Sequence, residues 1–451
     1  MSMTMADDFI THPQSFDKSK SPPELGHSML EYFAFEKDYT NMNNGSYGSA
    51  PTYVLEAAKA FSAQAEAKPD LFHRLSYIPL LKSARQKVAN LVGVADVDEV
   101  VFVPNASHGV GTVLRNFIWE KGDVLVTCNT TYNAISRAVQ YLSDVPPHPE
   151  VSQFTILLPD TTHAKLIEDW RRYLRSLTEC RNRVNPKGKI VAVIDAIVSN
   201  PGIHLPWKEM TKICKEENVW SLIDAAHAIG QEVNIDLNEA NPDFWISNCH
   251  KWLFTKRSAA VMYVPKRNQH IIKTTFPTSH AYISPDKRNG RYNFVEQFEW
   301  NGTIDWSNYL SVHAALDFRE WIGGEEKINA YCRHLAIEGG RKLAETMGTE
   351  MLDVTENQEF TLNMTNVALP LSPRVPFTVE VDMKFKRKML LGKKTFGAHF
   401  VHNGRWGVRA SAQVWLEVSD FEELGKAYLD VCAEIEKEVL TEKEPLSELE
   451  K

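Results

Sequence analysis

The chain has 451 residues, of which 43% are hydrophobic and 24% charged, and its formal net charge at pH 7 is −8. A chain of this length exceeds what one hydrophobic core supports, so we expect a large domain and a smaller one. The acidic balance and the lack of a basic stripe argue against a nucleic-acid or anionic-membrane partner and favour chemistry on small molecules.

The N-terminal residues 1–8 are acidic and lack the apolar core of a targeting signal, and no apolar stretch approaches the roughly 18 residues of a membrane span. Further along, Pro22, Pro23 and Gly26 indicate an extended arm. The six cysteines are dispersed, without a C-x-x-C pair or metal-ligand spacing. These features predict a cytoplasmic protein with free thiols and no metal site.

Seven short apolar runs alternate with longer amphipathic segments in the middle of the chain. They are Val100–Val103, Asp123–Thr127, Phe154–Leu158, Ile190–Asp195, Val219–Ile223, Phe244–Ile246 and Ala259–Val264. This alternation predicts an α/β fold with a mainly parallel sheet between layers of helices. Ligands bind such sheets beyond the carboxyl ends of the strands, where we expect residues 105–107, Tyr132, Asn200 and Asp224.

The sequence pattern changes after Pro285. The predicted elements there are a long helix from Trp306 to Met347, strands at Thr378–Val381 and Trp406–Arg409, and a helix from Asp420 to the end. We therefore expect an N-terminal arm over residues 1–45, a large cofactor-binding domain over 46–300 and a small α+β C-terminal domain over 301–451.

A lysine and an aspartate suggest the chemistry of the large domain. Lys251 lies in the run Ser247–Trp252, and Asp224 closes an apolar stretch 27 residues upstream. An enzyme that uses pyridoxal 5'-phosphate (PLP) holds the cofactor aldehyde as a Schiff base on a lysine and keeps the ring nitrogen protonated with a buried carboxylate. The pair therefore predicts PLP. The alternatives are a surface lysine and an aspartate that caps the following helix.

The phosphate of PLP requires an anion site, which we expect after the strand Val100–Val103. A helix begins near Ser107, and its free N–H groups and positive dipole end suit an anion. Gly109 and Gly111 resemble part of a dinucleotide-binding motif, but Leu114 occupies the third glycine position and the chain contains no P-loop. The pattern therefore disfavours a nicotinamide cofactor.

Six sequence strings carry a resemblance to a known family. They are Asn43–Gly48, Asp224–His227, Ser247–Trp252, Arg267–His270, Pro277–His280 and Val408–Gln413. From roughly Gly26 to the C-terminus the chain resembles the class V aminotransferase family of fold-type I PLP enzymes. Within it, the chain is similar to the fungal branch with isopenicillin N epimerase-like proteins, the ergothioneine carbon–sulfur lyase and the PLP cyclase of loline alkaloid biosynthesis.

The resemblance implies a role for each matching residue around the PLP ring. Lys251 is expected to form the Schiff base, and Asp224 to pair with the ring nitrogen. Tyr132 is expected to stack on the ring, while His227 and Asn200 contact its phenolic oxygen. Tyr132 and His227 have a simpler alternative as half-buried packing residues.

The resemblance also implies a phosphate site and a homodimer. The phosphate-binding residues are expected to be Ala106, Ser107, His108, Asn248 and His250. Thr303 is expected to reach the same phosphate from the second subunit, so the active unit is predicted to be a homodimer.

Substrate contacts follow from the same resemblance. Arg409 matches the family's clamp for the carboxylate of an amino-acid substrate, a task that suits the guanidinium fork. The residues Asn44, Ser46 and Tyr47 are expected beside the substrate. Arg409 has an alternative as the partner of a structural carboxylate.

Two histidines, His399 and His402, have the spacing H-x-x-H that can hold a metal ion. No third ligand lies nearby in the sequence, so we expect an ordinary loop near the mouth of the substrate site and no metal.

The expected reaction proceeds through an external aldimine and an alpha-carbanion. The segment 385–409 contains no cysteine, which disfavours the persulfide route of cysteine desulfurases. The strings Asp224–His227 and Asn43–Ser46 stand where relatives of the ergothioneine lyase tend to read Asp-Gly-Ala-Gln and Asn-His-Gly-Ser. These departures favour a re-tuned reaction, namely Mannich-type ring closure with an aldehyde or imine co-substrate, as in loline-type alkaloid biosynthesis of fungal specialised metabolism.

Three alternatives to ring closure stay open. They are the carbon–sulfur lyase of ergothioneine biosynthesis, which acts on hercynylcysteine sulfoxide, an epimerase similar to isopenicillin N epimerase, and a PLP-binding protein without catalysis. PLP-responsive regulators carry an appended DNA-binding module, for which the N-terminal arm is too short.

Overall fold

The computed structural model describes residues 19–290 and 293–441. The strands of its larger sheet are β1 (Val100–Val103), β2 (Val124–Cys128), β3 (Glu150–Phe154), β4 (Ile190–Asp195), β5 (Trp220–Asp224), β6 (Phe244–Asn248) and β7 (Ala260–Tyr263). Their order across the sheet is β1-β7-β6-β5-β4-β2-β3. β7 runs antiparallel to both of its neighbours, and the other pairings are parallel. The prediction of a mainly parallel sheet is confirmed.

Helices connect and cover the strands. They are α1 (Asn44–Tyr47), α2 (Thr52–Ala67), α3 (Pro69–Leu71), α4 (Tyr77–Leu91), α5 (Ala106–Asn116), α6 (Asn133–Asp144), α7 (His163–Val184), α8 (Trp207–Glu216), α9 (Leu237–Ala240), α10 (Phe294–Glu299), α11 (Ser307–Leu310), α12 (Val312–Trp321), α13 (Gly324–Met347), α14 (Val379–Arg387) and α15 (Val418–Thr441). Short 3₁₀ turns lie at His27–Tyr32, Val97–Glu99, Lys266–Ile271 and Pro285–Lys287, and π-helical turns at Phe72–Ser76 and Lys388–Lys393.

Both faces of the larger sheet are buried. Along β1, Val100 and Phe102 belong to one hydrophobic core, and Val101 and Val103 to the other, because successive side chains of a strand point to opposite faces. Helices α4, α7 and α8 contribute to the first core, and α5, α6 and α10 to the second. This three-layer arrangement explains why the strands read as continuous apolar runs.

The C-terminal part of the chain forms a second, smaller layer. Its three antiparallel strands, in the order β8-β10-β9, are β8 (Met364–Ala368), β9 (Ala398–His402) and β10 (Arg405–Ser411). Helix α13 packs on this sheet and α15 packs on α13, and Leu343 and Phe421 of the two helices belong to the same hydrophobic core. The predicted strand at 406–409 and the predicted C-terminal helix are present; the end of that helix, at 442–451, lies outside the described residues.

Three predicted elements differ from the structure. The third strand spans Glu150–Phe154 rather than Phe154–Leu158. The predicted strand at Thr378–Val381 is wrong, because the Thr378 hydroxyl accepts the Val381 N–H and caps α14. The predicted helix from Trp306 to Met347 is three helices, and Gly323, with φ of 121°, precedes the last of them.

The described part of the N-terminal arm packs on the smaller layer. Met29 and Phe33 belong to its hydrophobic core, and the rings of Phe33 and Trp415 lie 4.4 Å apart. Residues 1–18 of the predicted arm lie outside the described residues. The division at residues 45 and 300 stays a prediction. Within the described ranges, every helix is too short or too polar to cross a lipid bilayer.

Candidate active site

Three neighbouring strands end in polar residues at one edge of the larger sheet. Asp195, Asp224 and Asn248 are the last residues of β4, β5 and β6, and Asp195 lies directly beside Asp224 in the strand register. Lys251 follows β6 by three residues. Because parallel strands present their carboxyl ends on the same side, the sheet gathers these groups into one place. Asp224 was expected at this edge, whereas Asp195 was not singled out from the sequence.

The Lys251 side chain is half-buried, and its amine lies among charged groups. Burial lowers the pKa of this amine to about 7, and the positive charge of Arg409 adds to the effect while Asp224 opposes it. A large share of the lysine is therefore uncharged near neutral pH. An uncharged amine is the form that condenses with an aldehyde.

Asp224 is 3% exposed and accepts a hydrogen bond at Oδ1 from the backbone N–H of Ala226, at 3.1 Å. Burial raises the pKa of its carboxyl, and the Lys251 charge counteracts this. The neighbouring Asp195 is also buried, and burial together with the Asp224 charge raises the pKa of Asp195 well above its usual range. Of these two carboxyls, Asp224 is therefore the one that carries the negative charge.

The turn after β5 is locked against the segment that carries Lys251. The Ser247 hydroxyl donates to the carbonyl of Ala225 and accepts the N–H of Ile229, at 2.5 and 3.0 Å. Gly230 has φ of 82°, and a Cβ there would lie 2.6 Å from the carbonyl carbon of Trp252. This packing brings His227 to Lys251, with 3.0 Å between His227 Nε2 and Lys251 Nζ.

The start of α5 offers an anion site of the predicted kind. The Asn105 side chain accepts the N–H of His108, and the Asn248 side chain accepts the N–H of Ala106, both at 2.8 Å. The first-turn N–H of Ser107 has no acceptor within the helix. Ser107 thus presents both its N–H and its hydroxyl for an anion.

His250 borders this edge of the sheet in a defined tautomer. Its Nδ1 contacts the carbonyl of Ala259 at 2.8 Å and is therefore the protonated nitrogen. Burial lowers the pKa of His250 to about 4. Its Nε2 is a donor to a phosphate only when the ring is protonated, a state that a bound phosphate dianion would favour.

Arg409 lies on β10 and is fully buried. Its guanidinium donates to the carbonyl of Ser199 at 2.5 Å, to Asn43 Oδ1 at 2.7 Å and to Ser46 Oγ at 2.9 Å. Its Nε is buried without a hydrogen-bond partner among the described residues. Burial lowers the pKa of Arg409 to about 10, so the group stays charged at neutral pH.

Arg409 forms no ion pair with a carboxylate in the part of the chain that the structure describes. All three of its acceptors are neutral oxygens, which leave the positive charge uncompensated. The alternative of a structural ion pair therefore has no partner in residues 19–290 and 293–441. A buried charge without a counter-charge is costly unless a ligand supplies one.

Asn44 contacts the segment that carries the lysine. This residue is 1% exposed, and its Nδ2 donates to the backbone carbonyl of Lys251 at 3.1 Å. Asn44 thus helps to hold the Lys251 backbone, and its expected place beside the substrate stays a prediction. Gly48, at the end of the same short helix, is required by contact with His250, since a Cβ would lie 1.7 Å from the carbonyl oxygen of His250.

Three other predicted site residues line an open cavity. Tyr47 is 71% exposed and lines the cavity together with Ser46 and Asn200. Tyr132 is half exposed and precedes α6. Thr303 is exposed in the loop between α10 and α11. Its role as a residue supplied by a second subunit stays a prediction.

The cavity has a volume of about 1100 Å³ and lies between the N-terminal arm, the larger sheet and the small domain. No cysteine is among its lining residues. On the small-domain side, His399 contributes to the wall and contacts Asp382 at 2.8 Å. His402 instead accepts the N–H of Leu158 at 3.1 Å. The described residues contain no group of three or more His, Cys, Asp or Glu side chains that could hold a metal ion.

The chemistry of these groups fits PLP. Lys251 provides an amine for the aldehyde, and Asp224 provides a buried carboxylate for the ring nitrogen, whose positive charge would lower the raised pKa of that carboxyl. Ser107 and the start of α5 provide donors for the phosphate, and Asn248 lies beside them. The fold and the site together define the class of PLP-dependent enzymes of fold type I.

Comparison with known proteins agrees with this class. The family model "Aminotransferase class-V" matches residues 43–371. The "L-cysteine desulfhydrase-like protein lolT1" of Epichloe uncinata is 34% identical over 91% of this chain and 96% of that protein. The "Hercynylcysteine sulfoxide lyase" of Schizosaccharomyces pombe is 31% identical over 90% of this chain and 98% of that protein.

A solved structure has the same fold. It is the cystine C–S lyase C-DES in complex with cysteine persulfide, with a TM-score of 0.69, 19% identity and coverage of 87% of this chain and 98% of that one. The chain belongs to the class V aminotransferase family and is a PLP-dependent enzyme. The family, fold and cofactor expected from the sequence are thereby confirmed.

Sequence reasoning missed three groups of the site. Asn43 and the carbonyl of Ser199 bind Arg409, and the Trp252 indole donates to His227. Asn43 and Trp252 lie inside sequence strings that carried the family resemblance. The resemblance drew attention to these strings but assigned no function to the two residues. A backbone carbonyl leaves no trace in residue identity, so the contact of Ser199 was not predictable.

Proposed function

We propose that this enzyme acts on a free α-amino acid, whose carboxylate binds Arg409 and whose α-proton is removed by Lys251. The observation that carries the proposal is the fully buried guanidinium without a carboxylate partner among the described residues. It lies close enough to Lys251 for its charge to lower the pKa of the lysine. The carboxylate of the substrate and the amine of Lys251 are thereby held at a fixed distance from each other.

Each residue of the site has a distinct task in this proposal. The guanidinium of Arg409, whose Nε has no partner among the described residues, binds the substrate carboxylate and orients the α-carbon. Lys251, uncharged near neutral pH, accepts the α-proton and returns it later. Asp224 keeps the ring nitrogen of the cofactor protonated. PLP supplies the electron sink for the electron pair that the proton leaves behind.

We further propose ring closure as the fate of that electron pair. It attacks the carbon of an aldehyde or imine, and the π electrons of that second group move to its oxygen or nitrogen. Two acceptors of Arg409, Asn43 and Ser46, line an open cavity of about 1100 Å³. The cavity supports this fate because it leaves room for a second reactant beside an amino acid bound at Arg409.

A carbon–sulfur lyase reaction is the second candidate. The names of two relatives favour it, because one is called L-cysteine desulfhydrase-like and the other hercynylcysteine sulfoxide lyase. In that reaction the electron pair at the α-carbon expels a sulfur group from the β-carbon, and the sulfur leaves with the electrons of the broken bond. An epimerase would instead return the proton on the opposite face.

The test of the core proposal uses absorbance and proton NMR. The PLP-loaded full chain is expected to show a visible band that is lost in Lys251→Ala and retained in Lys256→Ala, a matched control whose amine pairs with Asp305 at 3.1 Å. In deuterated buffer, amino-acid substrates are expected to gain deuterium at the α-carbon. An unchanged band in Lys251→Ala would refute the assignment.

The same proton NMR spectra distinguish ring closure, carbon–sulfur cleavage and epimerisation. A panel of cysteine sulfoxides and γ-substituted homoalanines, with and without an aldehyde, is followed over time. Deuterium exchange without elimination, together with a new carbon–carbon bond when the aldehyde is added, supports ring closure. Release of a keto acid supports the lyase, and loss of optical rotation supports the epimerase.

We also propose that the enzyme is a homodimer in which Thr303 of one subunit completes the phosphate site of the other. The exposed position of Thr303 supports this, and so does the exposed ring of Phe276, which is 73% accessible in the single chain. Mixing Lys251→Ala with Thr303→Asp tests it. If the site is shared, mixed dimers contain one site with both natural residues and recover part of the activity that each variant lacks.

A further inference from the structure

Trp252 follows the reactive lysine directly and contacts the histidine beside it. The indole Nε1–H of Trp252 donates to His227 Nδ1 at 3.2 Å. The other ring nitrogen, His227 Nε2, lies 3.0 Å from Lys251 Nζ. Indole, imidazole and amine therefore form one chain of contacts, in which the two ring nitrogens of His227 have different partners.

The donor at Nδ1 fixes the tautomer of His227. Indole is a donor only, so Nδ1 must be the unprotonated nitrogen that accepts. Burial lowers the pKa of His227 well below its usual range, and the ring is neutral with a single proton. That proton is then on Nε2 and points at Lys251. Because the Nε2–H group of His227 donates to the Lys251 nitrogen, it favours the unprotonated form of that nitrogen, which can accept a hydrogen bond.

We propose that Trp252 is a positioning residue that holds His227 as the Nε2–H tautomer and thereby favours the unprotonated form of the Lys251 nitrogen. This inference rests on the proposed assignment of Lys251 as the residue that binds the cofactor. It gives a second role to the tryptophan of the lysine motif, which acts on the reaction through His227 without touching the reacting atoms.

The surroundings of Trp252 prevent the indole from turning away. Its backbone carbonyl accepts a hydrogen bond from Arg319 at 2.8 Å. The ring edge packs on Gly45, where an added Cβ would lie 3.3 Å from Cζ2 of Trp252. The preceding carbonyl, of Lys251, is held by Asn44. Fixed on these sides and 1% exposed, the indole presents its N–H in one direction.

The charged groups around His227 do not select the tautomer of its ring. Lys251, Arg409 and His250 all face His227 and oppose a positive charge on it, but they do not decide which nitrogen carries the single proton. Asp224 faces Lys251 and favours its charged form. The donor from His227 acts in the opposite direction to Asp224 and in the same direction as burial and the Arg409 charge, which also lower the pKa of the lysine.

The experiment titrates the visible band of the PLP-loaded full chain with pH. In Trp252→Phe, Nδ1 loses its donor, so His227 is free to move its proton there and accept from Lys251 through Nε2. The protonated form of the lysine nitrogen is then favoured, and the midpoint of the titration is expected to rise by about one pH unit, the equivalent of one hydrogen bond.

Trp245→Phe is the matched control. Trp245 is also fully buried in the same hydrophobic core, and its Nε1 has no hydrogen-bond partner among the described residues. The substitution removes a similar volume and an unused N–H, and the midpoint is expected to stay at the wild-type value. An equal shift in both variants would overturn the proposal, since it would reflect lost packing.

A double-mutant cycle tests whether Trp252 acts through His227. On the background of His227→Gln, Trp252→Phe is expected to leave the midpoint unchanged. A shift that persists there overturns the proposal. Because Trp252→Phe removes buried volume, the wild-type chain provides an independent check: ¹⁵N NMR of labelled histidine must show a protonated Nε2 and an unprotonated Nδ1 for His227, identified by the signals lost in His227→Gln. The opposite tautomer would overturn the proposal.

Failure of the underlying assignment has a different signature. If Lys251 does not bind the cofactor, the visible band survives in Lys251→Ala, whatever Trp252 does. If only the inference about Trp252 fails, that band depends on Lys251 as expected, while Trp252→Phe and wild type titrate alike.

Discussion

Two buried guanidinium groups in this enzyme have opposite surroundings. Arg319 on α12 is 1% exposed and is held by both oxygens of Glu325, at 2.5 and 2.6 Å, and by the carbonyls of Trp252 and Gly230. Arg409 is equally buried but is surrounded by neutral oxygens alone. The first arginine has its own counter-charge within the fold, and the second does not.

The difference separates a structural charge from one that is available to a ligand. Arg319 ties the small domain to the segment after Lys251, and its ion pair is complete without substrate. Arg409 is oriented by three acceptors that fix its direction but leave its charge uncompensated. We infer that a buried arginine with a paired carboxylate has a structural role, and that a buried arginine without one is available to bind an anionic group.

The largest expected effect is the loss of kcat/KM when Arg409 is replaced. Arg409→Gln removes the charge that binds the carboxylate, and kcat/KM for an α-amino acid is expected to fall by about 30- to 5000-fold, the equivalent of about 2–5 kcal/mol. The free energy of unfolding is expected to stay the same or to rise, since an uncompensated buried charge is lost. Steady-state kinetics and urea unfolding measure the two effects.

A control for this prediction lies on the same strand. Arg405 is exposed on β10 and pairs with Glu350 at the surface, so Arg405→Gln is expected to change neither quantity by much. An amine that resembles the substrate but lacks the carboxylate should react equally well with wild type and Arg409→Gln. A large loss for that amine would show that Arg409 acts on something other than a carboxylate.

The second prediction concerns a substitution that leaves Arg319 without a carboxylate partner, as Arg409 is. Glu325→Gln removes the counter-charge and leaves the guanidinium buried, so the free energy of unfolding is expected to fall by about 2–4 kcal/mol, less than for a fully buried pair because Glu325 is 24% exposed. Urea unfolding of the PLP-loaded chain measures it. Replacement of both partners, in Arg319→Met with Glu325→Met, should recover part of the loss; a stable Glu325→Gln would contradict the comparison.

Lys251 is a basic residue whose side chain is half-buried, and the third prediction concerns its proton. Its pKa falls from the ordinary 10.5 to about 7, so between these values the unfolded chain binds a proton that the folded chain does not. The stability of the cofactor-free wild type therefore rises with pH through this window. Lys251→Met lacks that slope and is expected to be more stable by about 1–3 kcal/mol at pH 7.

Stability curves at several pH values check this prediction. The advantage of Lys251→Met should shrink as the pH rises towards 10.5 and vanish above it, where the lysine is uncharged in both states. Lys256→Met is the control, since that lysine is half-buried like Lys251 but forms an ion pair with the exposed Asp305 at 3.1 Å. A constant difference at all pH values would mean that the substitution acts through packing.

The sequence could predict the sheet end of the site better than the arginine end. Lys251 and Asp224 stand next to apolar runs that form strands, so their place at the carboxyl edge follows from local pattern. The partners of Arg409 lie 366 positions away at Asn43 and 363 at Ser46, and only the packing of the arm on the small domain brings them together. No local signal encodes such a contact.

The missed elements have equally physical causes. The run Thr378–Val381 is rich in β-branched residues, which favour strands, but Thr378 caps a helix whose buried residues Val381 and Phe385 are four positions apart. Residues 150–153 of β3 are partly exposed at the sheet edge, so the strand lacks the apolar run that marked the others. Local propensity was overruled by capping in the first case and by edge position in the second.

The smallest expected effect concerns the two neighbouring carboxyls. Burial and the Asp224 charge raise the pKa of Asp195, so its carboxyl is already protonated where Asp224 is charged. Asp195→Asn replaces one neutral group by another and is expected to change kcat/KM less than tenfold, whereas Asp224→Asn removes the partner of the cofactor ring nitrogen and lowers kcat/KM far more. The order of these two variants is the measurement.

The pH dependence gives the same prediction a second test. A raised pKa in the folded state means that Asp195 stabilises the fold below its ordinary pKa of 3.8 and that this contribution is lost as the pH rises towards its folded-state pKa. Wild type should therefore lose stability over that rise relative to Asp195→Asn, which has no titrating group there. If both chains respond alike, Asp195 is charged in the fold, and the negative charge at the strand ends is shared instead of belonging to Asp224 alone.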